Sequence, residues 1–107
     1  MKTIAKLWII YAALMMTASA TSGEVEILQK DRTFSQSEIT IHAGQKVVFK
    51  NGDEITHNVF SVTPGMEFDL RRQAPGASDT VTFDREGVAE VRCSIHPKMK
   101  LMVKVVK

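Results

Sequence analysis

The stretch "VRCSIHPKM", residues 91–99, sets a cysteine, a histidine and a methionine three residues apart, at Cys93, His96 and Met99. Cys93 is the single cysteine of the chain, so no internal disulfide can form. Its thiol must therefore be reactive, shared with another chain, or held by something else. A metal ion is the plainest holder. His57, in "THNVF", offers a second imidazole from a separate segment. One thiolate, two imidazoles and a weak thioether make the donor set of a mononuclear type 1 copper electron-transfer site. Thiolate and thioether suit Cu(I) and imidazoles suit both oxidation states, so such a set needs little rearrangement when an electron arrives or leaves.

Other uses of these residues fit less well. Zinc gains little from a thioether and more typically recruits another cysteine, histidine or carboxylate. A cysteine nucleophile activated by histidine is the enzymatic alternative, with Asn58 as a nominal orienting group, but no substrate pocket can be argued for so small a domain. His42 reads as an exposed turn residue near Gly44, and Met102 as a side chain packed on a sheet. Met66, beside Pro64-Gly65, reads as apolar surface area. None of these three is taken as a ligand.

The elements that must position the donors are strands. "EVEIL" (24–28) and "EITI" (38–41) alternate apolar and polar residues, and "HAG" after them signals a turn with Gly44 free to take a positive φ. "KVVFKN" puts Val47 and Phe49 on one face and stops at "NGD", a turn signal. "THNVFSV", a short edge piece at Phe68–Leu70, "SDTVTF", "VAEVRC" and "KLMVKVV" continue the pattern, the last with Leu101, Val103 and Val105 on one side. Seven or eight short strands with turn residues between them imply an all-β fold, a small antiparallel sandwich or barrel. Pro97 breaks the chain between the last two strands, so "CSIHPKM" is a loop at one end of that body, where rigid strands can hold converging ligands.

The amino-terminal residues bear on the compartment. Lys2 and Lys6 precede an apolar run from Leu7 to Met16 and the small-residue pattern Ala18-Ser19-Ala20, as in a signal peptide cleaved after about Ala20. The run is short for a membrane span. The expected division is a signal peptide at 1–20 and a single domain at 21–107, working outside the cytoplasm, in the periplasm. Without Lys2 and Lys6 the 14 basic residues become 12, equal to the 12 acidic ones, and the formal charge falls from +2 to zero. A nucleic-acid binder needs a positive surplus, which this domain lacks. Arg92, Lys98, Lys100, Lys104 and Lys107 cluster at the carboxyl end, where they suit a solvated strand face that resists edge pairing, with a docking patch for an acidic partner as the alternative. A domain this small buries only about 60–65% of its unfolded surface, and a bound metal would supply the staple that a disulfide cannot.

From about Glu38 to the end, the chain resembles the cupredoxins, and most of all amicyanin and the other small plastocyanin-like periplasmic proteins. "EITIHAGQKVVFKNGDEITHNVF" is similar to the family's strand–turn–strand that ends in its first copper histidine followed by asparagine. "CSIHPKM" matches the Cys-x-x-His-x-x-Met loop at its shortest spacing. The resemblance implies a Greek-key sandwich holding one copper ion, with His57, Cys93 and His96 as equatorial ligands and Met99 as the axial one. It also implies that Asn58 ties the two ligand loops together by hydrogen bonds. Implied too are a one-electron carrier rather than an enzyme, transient redox partners as donor and acceptor, and a monomeric state. Copper tolerance or delivery is the alternative role. The chain departs from the pattern at Arg92, where plastocyanins carry an aromatic residue, and at Ile95, where many relatives have proline.

Overall fold

Period-two alternation of apolar and polar residues becomes strand throughout residues 23–107, the part of the chain that this computed structural model describes. The export segment read at 1–20 lies outside the described residues. Nine strands follow in chain order: β1 (Val25–Lys30), β2 (Thr33–Phe34), β3 (Glu38–His42), β4 (Gln45–Asn51), β5 (Val59–Ser61), β6 (Phe68–Asp69), β7 (Ser78–Phe83), β8 (Gly87–Cys93) and β9 (Lys100–Val106). One sheet has the order β2-β1-β4-β7 and the other β3-β9-β8-β5-β6. The all-β sandwich is the architecture the patterning implies. β2, a two-residue strand beside β1, carries too short a pattern to be read from sequence.

Two pairings run parallel, β1 with β4 and β3 with β9, whereas local patterning suggested antiparallel pairing throughout. Parallel neighbours need a crossover between them. β3, which lies in the other sheet, supplies the crossover between β1 and β4. The remaining pairs are antiparallel, including the β8–β9 hairpin that carries the "CSIHPKM" loop.

Inward residues from both sheets fill the space between them. Ile27, Val47, Phe49, Val59, Val91, Leu101 and Val103 are wholly buried. Phe68, on the edge strand β6, packs a tilted ring 6.1 Å from Phe49 and an edge-on ring 5.9 Å from Phe83. It thereby joins the two layers. At the β3–β4 turn Gly44 takes φ +94, a left-handed conformation that a side chain would strain, and its N–H reaches the Phe83 carbonyl at 2.7 Å.

Candidate metal centre

Side-chain parity explains how the strands deliver the donors. Residues two apart on a strand share a face. Ala89, Val91 and Cys93 all point inward from β8, and Cys93 ends that strand opposite Val59 of β5. His57 stands two residues before Val59, so it continues the inward face of β5 and becomes a diagonal neighbour of Cys93. Met99 stands two residues before Leu101 and continues the inward face of β9 in the same way. His57 is fully buried, Cys93 is 1% exposed and Met99 is 2% exposed. His96 lies in the turn between β8 and β9, half-buried, with its carbonyl accepting the Met99 N–H at 3.0 Å.

Three of the four residues named from sequence, His57, Cys93 and His96, thus converge at one end of the sandwich, and Met99 is buried at the same end, at the start of β9. Nδ1 of His57 lies 3.7 Å from Cys93 Sγ, and Nδ1 of His96 lies 3.8 Å from the same sulfur. The two Nδ1 atoms are 3.2 Å apart. Among the described residues this trio is the one group of histidine, cysteine or carboxylate donors that could hold an ion. Its chemistry fits copper. No carboxylate or second cysteine joins the set, as zinc would favour. Partial burial lowers the His96 imidazole below its ordinary pKa, and repulsion from His57 and Arg32 adds to this, which favours the neutral ring that has a lone pair to give.

The segments that carry Cys93 and His57 are braced from behind. The Asn58 N–H points at Cys93 Sγ at 3.3 Å. The Asn58 side chain accepts the Ser94 hydroxyl at 2.5 Å and donates to Asp69 and to the Arg71 carbonyl, each at 2.8 Å. Asn58 therefore ties the His57 segment to the Cys93 loop, as the resemblance implied. Arg92 pairs with Glu90 at 2.6 Å and donates to the Pro97 carbonyl at 3.2 Å. Where relatives carry an aromatic residue, this chain has a strut under its loop.

His57 is also held along its backbone, by a two-way bridge to Gln73 with N···O distances of 3.1 and 2.7 Å. Gln73 is buried, accepts from Gln29 at 2.5 Å, and donates to the Phe49 carbonyl and to Asp79, each at 2.9 Å. Asn51, also buried, donates to the carbonyls of Ile55 and Gln73. On the ring itself, Nε2 of His57 meets Oδ2 of Asp53 at 2.7 Å. Burial pushes the Asp53 carboxyl upward. Hydrogen bonds from the Arg32 N–H, the His57 ring and the Asp31 N–H outweigh it and bring the pKa to about 2. Sequence reading missed Asp53, Gln73, Gln29 and Asn51. His42, expected in a turn, is instead the exposed last residue of β3 and donates to the Lys107 carbonyl at 2.9 Å, while Met102 is half-buried on the outward face of β9. Met66 packs on the core beside Gly87, at the far end of β8 from Cys93.

Asp69 gives a pH prediction. Hydrogen bonds from the Asn58 side chain and the Arg71 N–H, with the Arg71 charge, hold its carboxyl below the usual range. A carboxyl depressed on folding adds stability above its unfolded pKa of about 3.9, and that stability is lost as pH falls through the folded value. Urea midpoints of the metal-free protein should therefore fall as pH drops below about 4, and Asp69→Asn should flatten part of that fall. An unchanged pH profile in the variant would assign the acid sensitivity elsewhere.

A thiol and two imidazoles converging at the tip of a two-sheet sandwich define a cupredoxin-type copper protein. Comparison with known proteins agrees: the family described as "Copper binding proteins, plastocyanin/azurin family" matches residues 21–107, and the chain belongs to it. Amicyanin-alpha of Methylorubrum extorquens is 32% identical over 91 residues, which span 82% of this chain and 76% of that protein. Crystalline amicyanin from Paracoccus versutus superposes with a TM-score of 0.69 at 27% identity, covering 77% of this chain and 80% of the other. A copper-containing nitrite reductase from Thermus scotoductus superposes with a TM-score of 0.73 at 23% identity, covering 78% of this chain. The chain spans 22% of that enzyme's length, and what the two share is the fold.

Proposed function

We propose that the mature domain, residues 21–107, is an exported, periplasmic one-electron carrier in which His57, Cys93, His96 and Met99 hold one copper ion. It works as a monomer between a redox donor and an acceptor, and it is not an enzyme. A copper ion held there supplies a one-electron couple between Cu(I) and Cu(II). The carrying observation is the meeting of Cys93 Sγ with two Nδ1 atoms at 3.7 and 3.8 Å, with His57 fully buried and His96 only half-buried. The buried partners keep the donors in place in both oxidation states. His96 is the part of the cradle that reaches the surface, and its ring edge is where a partner can approach.

The surface around that ring suits a brief encounter. Arg32, Ile95, His96, Pro97 and Lys98 line a shallow recess of about 280 Å³. Ile95 is 49% exposed, which makes it one of the few large apolar side chains open to solvent among the described residues. An apolar patch excludes water at the contact, and the flanking Arg32 and Lys98 steer an acidic partner.

Voltammetry of the copper-loaded protein tests the role. A carrier gives a reversible one-electron wave with fast exchange. Ile95→Asp should slow electron exchange with a partner by about tenfold or more, through the association step, and leave the visible spectrum unchanged. Slow, irreversible cycling together with ready transfer of copper to an acceptor would instead support copper tolerance or delivery.

A further inference from the structure

Resting on the copper reading above, we infer that Asp53 is a positioning residue that fixes His57 in its Nε2–H form and places a negative charge directly behind that ring. Oδ2 of Asp53 lies 2.7 Å from Nε2 of His57, and the two side chains are 9% and 0% exposed. The Asp53 carboxylate also receives the backbone N–H groups of Asp31 at 2.6 Å and Arg32 at 3.0 Å. A carboxylate receiving three donors can only accept, so the hydrogen on the contact to His57 belongs to the imidazole. The other ring nitrogen, Nδ1, then carries a bare lone pair, and it is the atom that faces Cys93 Sγ and His96.

The backbone around Asp53 is arranged for this contact. Asp31 and Arg32 take φ +53 and +57, two consecutive left-handed residues of which neither is glycine. Such a pair is disfavoured by roughly 1–2 kcal/mol per residue and persists where the surroundings over-determine it. Here the turn aims two successive N–H groups at one anion, in the manner of an anion-binding nest. On the other side, Asn51 accepts the Asp53 N–H at 2.8 Å, and Gly52 lies so close to β1 that a Cβ would sit 2.8 Å from a Leu28 methyl. Both loops are thus tied down, and the carboxylate is set against the histidine from two directions.

A clamp between loops needs no histidine, and a ligand histidine needs only some acceptor, for which a backbone carbonyl suffices. The choice of a carboxylate adds charge. A negative group hydrogen-bonded behind an imidazole makes the ring a stronger donor and favours Cu(II), the more positive state, over Cu(I). Asp53 therefore lowers the reduction potential of the centre.

Long-range proton–nitrogen NMR of the metal-free wild-type protein tests the positioning without any variant. The His57 ring should be in the Nε2–H form, and Asp53→Ala should shift it toward a mixture. With copper bound, Asp53→Asn and Asp53→Ala should weaken Cu(II) binding by about 10–100-fold. Cu(I) binding should weaken less; a tenfold difference between the two states raises the potential by about 59 mV. A wild-type His57 protonated on Nδ1 in the metal-free protein overturns the inference, whether or not the variants fold. Folded variants with unchanged tautomer and potential overturn it as well, reducing Asp53 to a loop clamp. Failure of the wild-type protein to take up copper is a separate result and counts against the copper reading.

Discussion

Replacing Cys93 with serine abolishes the intense blue or green colour expected when Cu(II) is added to the reduced protein, and leaves the sandwich folded. The colour belongs to charge transfer from a thiolate to copper, and Cys93 is the single thiol of the chain. A serine hydroxyl is a hard donor, poorly matched to Cu(I), and it stays protonated where a thiol ionises. The loss of copper affinity should exceed the about 10–100-fold that follows removal of an outer-shell partner. The fold should survive because Cys93 is one small residue at the end of β8. Burying a hydroxyl there costs about 1–3 kcal/mol, offset where the Asn58 N–H finds the new oxygen. Titration with Cu(II), followed by absorbance and by backbone NMR dispersion, checks both halves. A band of equal strength in Cys93→Ser, or a pale wild-type complex, would remove the type 1 site.

The candidate donors were legible because their types are rare and their spacing is local. "CSIHPKM" places three of them within seven residues, and "HNV" marks the fourth. Parity then does the rest of the placement: Cys93, His57 and Met99 each continue the inward face of a strand whose alternation is plain in the sequence. The supports other than Asn58 were not legible, because most of them join segments far apart in the chain. "NGD" reads as a turn, and nothing local says that the Asp53 carboxylate will meet both a turn 21 residues earlier and a ring four residues later. Gln29 stands at an inward position two residues after Ile27, so alternation predicts its burial. What alternation does not contain is its partner, Gln73, 44 residues away in an extended segment between β6 and β7. Strand direction failed for the same reason. Alternation names the buried face of β1 but carries nothing about which neighbour it meets.

Phe49→Ala should destabilise the metal-free protein more than any single change at the copper end, while a copper-loaded sample keeps its colour. Phe49 is fully exposed to other side chains and not at all to water. It lies between Phe34, with ring centroids 6.4 Å apart, and Phe68 at 6.1 Å, so its ring fills the space where β2, β4 and the edge strand β6 meet. Its carbonyl accepts from Gln73, so collapse of the neighbouring chain into the hole is opposed by a buried hydrogen bond. A cavity that cannot close puts the loss near the usual range of about 3–5 kcal/mol for Phe→Ala. For a domain of this size that lowers the melting midpoint by more than about 12 °C. Ile27, paired with Phe49 across β1 and β4, supplies the comparison, since Ile27→Val should cost only about 0.5–1.5 kcal/mol. Excess copper should restore part of the Phe49→Ala loss, about 2.7 kcal/mol at a hundred times the dissociation constant, because binding favours the folded state alone. Thermal melts with and without copper measure all three quantities. A midpoint within a few degrees of wild type would mean that the two sheets close over the hole. A changed band would mean that the aromatic cluster, and not the loops alone, sets the geometry of Cys93.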